Sequence, residues 1–285
     1  MIKKKSIDII CPLYNASSCI KDLHQSLLNQ KDVFINKIRY VLTDSGDDTE
    51  VFLKGNNICY KKISKKEFSH SLTREKEALE SKADILVFIT QDIVIDDNYW
   101  LYKLTKDIDD EVVASYSRQL TKYNNIEKYT RELNYPDKNI IKSKEDIGEL
   151  GLKTFFFSDA ASAINAKVFK SLNGYDQRIL SFSEDMYIAY KIILNGYKIK
   201  YCADSFVYHS HDLSISEIYK RYKLAGQFFK ENNYLDCYGT NDSGFKLAKY
   251  VFKRIIEDRR GDLLLRFPFD MGARFIGMKA GRNAK

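Results

Sequence analysis

Residues 84–92 read DILVFITQD. Ile85, Leu86, Val87, Phe88 and Ile89 form an unbroken apolar run. That predicts a strand buried on both faces. The polar triplet Thr90-Gln91-Asp92 then predicts a loop at its carboxyl end. Upstream, residues 6–11 (SIDIIC) give a second strand, closed by Pro12 and the loop Leu13-Tyr14-Asn15. Residues 38–42 and 57–63 give two more. A helix capped by Ser17 or Ser18 places Ile20, Leu23, Leu27 and Leu28 on one face. Another, started by Ser69 or Ser71, turns Leu72 and Leu79 inward. Strand–helix alternation predicts an α/β fold with a mostly parallel central sheet and helices on both faces. Ligands of such sheets bind at the carboxyl ends of the strands. That rim collects Tyr14, Asn15, Asp44, Asp47, Asp48, Gln91 and Asp92. Carboxylates crowded there repel one another unless a cation or a hydrogen-bonding ligand joins them.

Beyond residue 92 the pattern loosens and then resumes. Residues 120–153 read as a partly helical insertion able to form an acceptor lip. Residues 158–164 read as extended, 167–172 as helix, and 184–194 as a helix with Ile188, Ile192 and Ile193 inward, stopped by Asn195-Gly196. Residues 198–202 and 206–208 read as short strands and 215–229 as a helix. From Phe245 the tail reads as two amphipathic helices broken by Gly261 and Pro268. The expected organisation is a catalytic domain of residues 1–235 and a basic helical extension of residues 236–285.

Of the 285 residues, 44% are hydrophobic, and the net charge is +7. Residues 246–285 hold eleven Lys/Arg against four Asp/Glu, so the body is neutral and the tail carries the whole excess. A neutral body with a basic amphipathic tail points to an anionic membrane surface as a partner. The tail has no nucleic-acid motif, so a nucleic-acid partner is not expected. The five cysteines form no CxxC pair and read as reduced, buried thiols. The basic N-terminus lacks a signal peptide's apolar segment, and no run is long enough to span a bilayer. A cytoplasmic protein, peripheral at the inner face of the plasma membrane, is expected.

Seven short stretches, in order, resemble family-2 glycosyltransferases of the GT-A fold, and within them the bacterial rhamnosyltransferase-like group. They are Cys11-Pro12-Leu13-Tyr14-Asn15, Thr43-Asp44-Ser45-Gly46, Phe68-Ser69-His70-Ser71-Leu72-Thr73-Arg74 and Thr90-Gln91-Asp92. The others are Ser115-Tyr116-Ser117-Arg118-Gln119, Phe182-Ser183-Glu184-Asp185 and Val207-Tyr208-His209-Ser210-His211. With gaps, the resemblance runs from about residue 6 to about residue 230. It implies an inverting enzyme that moves a sugar, L-rhamnose from dTDP-L-rhamnose, onto a hydroxyl of a glycan or lipid-linked glycan in bacterial cell-surface polysaccharide synthesis. Two alternatives stay open: a UDP-sugar donor on the same fold, and a non-catalytic nucleotide-sugar-binding protein.

The chemistry assigns the residues. Asp44, at a strand end, can accept a hydrogen bond from the imide N–H of uracil or thymine. Tyr14 and Asn15 can flank the base or ribose. Asp92 is a candidate ligand for a divalent cation, Mg²⁺ or Mn²⁺, that neutralises the donor diphosphate. Thr90-Gln91-Asp92 stands where many GT-A enzymes carry an Asp-x-Asp motif, so Asp92 is the firm candidate and Gln91, being neutral, is not; such a Gln-Asp pair is usual in the rhamnosyltransferase-like group. His209 is the second candidate ligand, its neutral imidazole suiting Mn²⁺ better than Mg²⁺. His24 and His211 read as structural imidazoles. Arg74, four residues after His70, and Arg118 can each bind phosphate or sugar. Inversion needs a base for the acceptor hydroxyl. The resemblance gives that role to Asp185, with Glu184 orienting the acceptor or a neighbouring loop.

Overall fold

The computed structural model describes residues 4–180, 182–239 and 241–284. In chain order its elements are β1 (Ser6–Leu13), α1 (Ile20–Leu28), β2 (Phe34–Thr43), α2 (Thr49–Gly55), β3 (Tyr60–Ile63), α3 (His70–Glu80), β4 (Ile85–Ile89) and α4 (Trp100–Thr105). There follow β5 (Val112–Leu120), α5 (Ile126–Asn134), β6 (Ile140–Lys142), α6 (Ile147–Leu150), β7 (Ala161–Asn165), α7 (Ala166–Ser171) and α8 (Glu184–Leu194). Last come β8 (Lys198–Tyr208), α9 (Ile215–Glu231), α10 (Asn241–Glu257) and α11 (Gly261–Arg282). The strands form one sheet in the order β3-β2-β1-β4-β7-β5-β8-β6. β1 runs parallel to β2 and β4, β2 to β3, and β5 to β8. β7 is antiparallel to both β4 and β5, and β6 to β8. All the strands except β6 and β7 therefore point one way. The carboxyl ends of β1, β2, β4, β5 and β8 share one rim, and the start of β7 lies among them.

β4 is the centre of the core because every side chain on it is apolar and buried. Leu86 and Phe88 pack with Ala78 of α3, Phe169 of α7 and Ile188 and Ile192 of α8. Ile85, Val87 and Ile89 pack on the other face with Leu23 and Leu27 of α1, Leu53 of α2 and Trp100 of α4. Each such side chain contributes roughly 1.5–3 kcal/mol on burial. A separate apolar cluster joins Ile126 and Tyr129 of α5 to Val251 and Ile255 of α10 and Leu263 of α11.

Several local expectations need correction. The inward face of α3 is polar: Ser71, Thr73, Arg74, Glu75 and Glu77 are buried with Ala78, while Leu79 is exposed. Partners make this tolerable, since Glu77 pairs with Arg39 (3.3 Å) and Glu75 accepts from the Tyr175 N–H (2.6 Å). Leu28, one residue past the buried Leu27, is also exposed. The two expected short strands at 198–208 are one strand, β8, with a register shift opposite Ser117 and Arg118. Pro268 does not break α11. It removes one backbone donor, but the helix is held on both sides of it by packing: Leu263 sits in the α5–α10 cluster and Gly277 against α9. No disulfide forms among the described residues, and Cys59 and Cys237 are exposed rather than buried.

α11 packs on α9 at a separation that only glycine permits. A Cβ on Gly277 would meet the Tyr219 carbonyl oxygen at 2.5 Å, and one on Gly281 the Lys223 carbonyl oxygen at 2.0 Å. A Cβ on Gly226 of α9 would meet the Met278 carbonyl oxygen at 2.3 Å. The basic tail is thus docked on the body through its inner face.

Candidate active site

The rim is assembled by hydrogen bonds between loops, from a side chain onto backbone and from backbone onto backbone. The Gln91 side chain accepts from the Tyr14 N–H (2.7 Å) and donates to the Tyr14 carbonyl (2.8 Å), tying the loop after β4 to the loop after β1. Asn15 sits in the left-handed region at φ 51°, a conformation Asn tolerates better than most residues. Asp44 is exposed at the end of β2, with Lys62 Nζ at 3.1 Å. Asp47 is consumed locally, accepting from the Ser17 N–H and from the hydroxyls of Ser45 and Thr49.

The loop after β4 continues to Val94, which exchanges backbone hydrogen bonds with Tyr208 at the end of β8. This brings Asp92 against His209 and His211. The Asp92 carboxylate lies 3.5 Å from His209 Nε2 and 3.8 Å from His211 Nδ1. One donor atom from each of the three residues falls within 4.8 Å of the others. Gln119 Oε1 sits 2.9 Å from His209 Nδ1 and also accepts from Arg131 Nη1, while Gln119 Nε2 donates to Ser158 Oγ (2.7 Å). A guanidinium can only donate, so Oε1 is an acceptor, and the His209 Nδ1 must carry the proton. In a neutral ring the Nε2 lone pair would face the Asp92 carboxylate. Two acceptors at that distance need something positive between them. Burial, then the neighbouring His209, pushes the His211 imidazole down to about 4, so His211 is a neutral ligand near pH 7. Burial works to raise the Asp92 carboxyl, but the contacts with His209 and His211 outweigh it and hold it well below the usual range. One carboxylate and two imidazole nitrogens suit a divalent cation such as Mn²⁺.

A second cluster lies where α8 begins. Ser183 takes the left-handed conformation at φ 55°, a strained choice for serine, and sets Glu184 and Asp185 in the first turn. Glu184 is buried and accepts from Arg74 Nη1 at 3.0 Å. Arg74 is itself buried and also donates to the His70 carbonyl. Below them Asp159 accepts from Tyr175 Oη (2.6 Å) and Ser162 Oγ (2.7 Å). Burial, then the like charges of Glu184 and Asp159, push the Asp185 carboxyl well above the ordinary carboxylate range. A carboxylate so raised is a stronger base.

Asp185 and His209 line a common cleft of ≈ 300 Å³, whose far wall is built by α5, α9 and α11. Of the other residues marked in the sequence, Asp92 adjoins the cleft through the two histidines, and Arg74 and Glu184 stand behind Asp185. Tyr14, Asn15, Asp44 and Gln91 form the outer rim. Arg118, half-buried in β5 opposite Phe206, lies outside the cleft lining, and its Nε has no hydrogen-bond partner. Sequence reasoning set His211 aside and did not assign Gln119, Arg131 or Asp159. It also missed the contribution of the tail: Arg266, Asp270 and Arg274 of α11 line the cleft at a spacing of four. Arg274 is fixed there by Asp270 (2.6 Å) and the Tyr222 hydroxyl (2.8 Å). The i, i+4 spacing was the available signal.

The chain is similar to known proteins along most of its length. The profile of the family described as "Glycosyl transferase family 2" matches residues 8–172. The chain is 31% identical to the O-antigen chain rhamnosyltransferase RfbN of Salmonella typhimurium, over 97% of this chain and 90% of that protein. It is also 31% identical to the O-antigen chain rhamnosyltransferase WbaN of Salmonella anatum, over 98% and 90%. Among solved structures, the mannosyltransferase PcManGT of Pyrobaculum calidifontis, in complex with GDP-Man and Mn²⁺, superposes with a TM-score of 0.59. That match is at 15% identity, over 100% of this chain and 77% of that one.

Proposed function

The chain belongs to glycosyl transferase family 2 and is a glycosyltransferase of GT-A architecture; from that premise we propose that it transfers L-rhamnose from dTDP-L-rhamnose, with inversion, to a glycan hydroxyl during synthesis of a cell-surface polysaccharide. The observation that carries the reading is the convergence on one cleft of the raised carboxyl of Asp185 and the Asp92–His209–His211 cluster. The two full-length relatives named as O-antigen rhamnosyltransferases support the choice of sugar.

Asp185 accepts the proton of the acceptor hydroxyl as its oxygen bonds to the anomeric carbon. The bond from that carbon to the donor diphosphate breaks, and the nucleoside diphosphate leaves. Glu184 and Arg74 act through Asp185, holding the start of α8 and setting its charge environment. Asp44 accepts from the imide N–H of the base once Lys62 yields it. Tyr14 and Asn15, braced by Gln91, flank the base and ribose. Asp92, His209 and His211 would hold a divalent cation, Mn²⁺ before Mg²⁺. Bound there, it would supply positive charge toward the donor diphosphate. Arg118 contributes a diffuse positive charge behind the rim.

No helix among the described residues is long and apolar enough to cross a membrane. A peripheral place at the inner face of the plasma membrane belongs to the same reading, with a lipid-linked glycan as acceptor.

The test is donor hydrolysis and transfer across dTDP-L-rhamnose, UDP-glucose, UDP-N-acetylglucosamine and UDP-galactofuranose, with and without EDTA. Preferential use of dTDP-L-rhamnose that EDTA abolishes and Mn²⁺ restores is expected. A clean preference for a UDP-sugar would remove rhamnose, and full activity in EDTA would remove the cation.

A further inference from the structure

α11 has two unlike faces. At 3.6 residues per turn, Arg266, Asp270 and Arg274 share the side of the helix that carries Gly277 and Gly281. That side lines the cleft and packs on α9. The opposite side carries Leu265, Phe269, Phe275 and Ile276, all exposed: Leu265 is 78% exposed and Phe275 70%. After Asp262, the exposed positions of α11 include no acidic residue. α10 continues the pattern with Phe245 (81% exposed), Phe252 and Ile256, and the Phe252 ring lies 5.6 Å from that of Phe267 on α11. Lys249, Arg259 and Lys279 accompany these stripes, exposed and with no acid partner among the described residues. Other cations of the tail are paired: Lys253 with Glu257, Arg254 with Glu132 and Glu257, Arg260 with Asp262 and Arg282 with Asp236.

Large apolar side chains left in water along a helix mark a surface that is covered in use. Unspent cations beside them, with no carboxylate on the outer face of α11, select an anionic covering. The geometry points to the outer faces of α10 and α11 as a seat for an anionic lipid bilayer, with α11 lying in the headgroup layer and its inner face forming the cleft wall. An α-helix with side chains is about 10–12 Å across, so the cleft would stand one helix width from the lipid surface. An acceptor whose far end is anchored in that bilayer could then reach Asp185 without leaving it. The inference rests on the reading above only for what the bilayer carries; the seat itself rests on α10 and α11.

The test uses the full chain with vesicles of phosphatidylcholine alone and of phosphatidylcholine with phosphatidylglycerol. Two variants accompany it: the outer-face triple Leu265→Gln/Phe269→Gln/Phe275→Gln, and the charge triple Lys249→Gln/Arg259→Gln/Lys279→Gln. Sedimentation with anionic vesicles is expected, weaker with neutral ones and reduced by high salt. The outer-face triple should lose about tenfold or more of the binding. The charge triple should lose the preference for anionic lipid. Both should keep wild-type circular dichroism and wild-type hydrolysis of soluble donor, since none of these residues lines the cleft. Equal vesicle binding by wild type and the outer-face triple would overturn the proposal, as would a wild-type chain that stays in the supernatant. Light scattering that finds a dimer, made monomeric by the outer-face triple, would assign the face to a second copy instead. Absence of donor hydrolysis with every nucleotide sugar would sink the enzymatic reading and leave the vesicle result standing.

Discussion

Replacing Gln119 by leucine tests whether the histidine at the cleft is held as a metal ligand. Gln119 is 2% exposed, and its amide serves three groups at once: Arg131, His209 and Ser158. Leucine is close in volume, so packing changes little. It offers no acceptor, so the His209 Nδ1–H and an Arg131 N–H lose their partner. Each buried group left unsatisfied costs about 1–3 kcal/mol. His209 can recover by moving its proton to Nε2 and rotating, which takes the lone pair away from Asp92. Loss of the partner that orients a ligating histidine lowers metal affinity about 10–100-fold, equivalent to roughly 1.4–2.7 kcal/mol. Calorimetric titration of the full chain with Mn²⁺ measures this directly. Gln119→Glu is the control, because a carboxylate still accepts from Nδ1–H and still pairs with Arg131; its affinity should equal or exceed that of wild type. A leucine variant that stays folded and binds Mn²⁺ within twofold of wild type would refute the tautomer argument. A wild-type protein that binds no Mn²⁺ would remove the cation site altogether.

Asp185→Asn should reduce turnover by about 10²–10⁴, the usual yield of a general base, while leaving donor affinity intact; turnover within a few-fold of wild type excludes Asp185 as the base. The same variant should melt higher at neutral pH. The folded-state pKa of Asp185 is raised by burial and by Glu184 and Asp159, so its ionisation costs stability as pH rises past the ordinary carboxylate range, and asparagine removes that cost. The acid limb of kcat/KM should lie above the ordinary carboxylate range, activity being lost as pH falls and the base gains its proton; a limb near pH 4 contradicts the raised carboxyl. Gly281→Ala sets two effects against each other. Helix propensity favours alanine by about 1 kcal/mol, but its Cβ would meet the Lys223 carbonyl oxygen at 2.0 Å and overpacking costs about 1–3 kcal/mol. The contact is with backbone and cannot yield cheaply, so a melting temperature a few degrees lower is expected, and an unchanged or higher one refutes the close-packed α9–α11 seam.

Local sequence determined the strands of the catalytic core, because an unbroken apolar run such as residues 85–89 has few places to go but the middle of a sheet. It also determined which residue types stood at the strand ends, and therefore that Tyr14, Asn15, Asp44, Gln91 and Asp92 would meet at one rim; that His209 joins Asp92 there depends on the pairing of Val94 with Tyr208. Asp185 was legible as the candidate base through the Glu184-Asp185 pair at a helix start and the family it resembles. The inward face of α3 was not legible, since hydrophobic periodicity cannot see that Glu75, Glu77 and Arg74 are buried with partners from Tyr175, Arg39 and Glu184. Nor was the role of Gln119, which depends on Arg131 and His209 arriving from distant parts of the chain. The tail shows the division most plainly. Its basic, amphipathic character is written in residues 246–285. Which side of α11 turns to the cleft and which to solvent follows from three glycines at the α9 seam, where the separation of two helices, and no property of either one alone, selects the buried face.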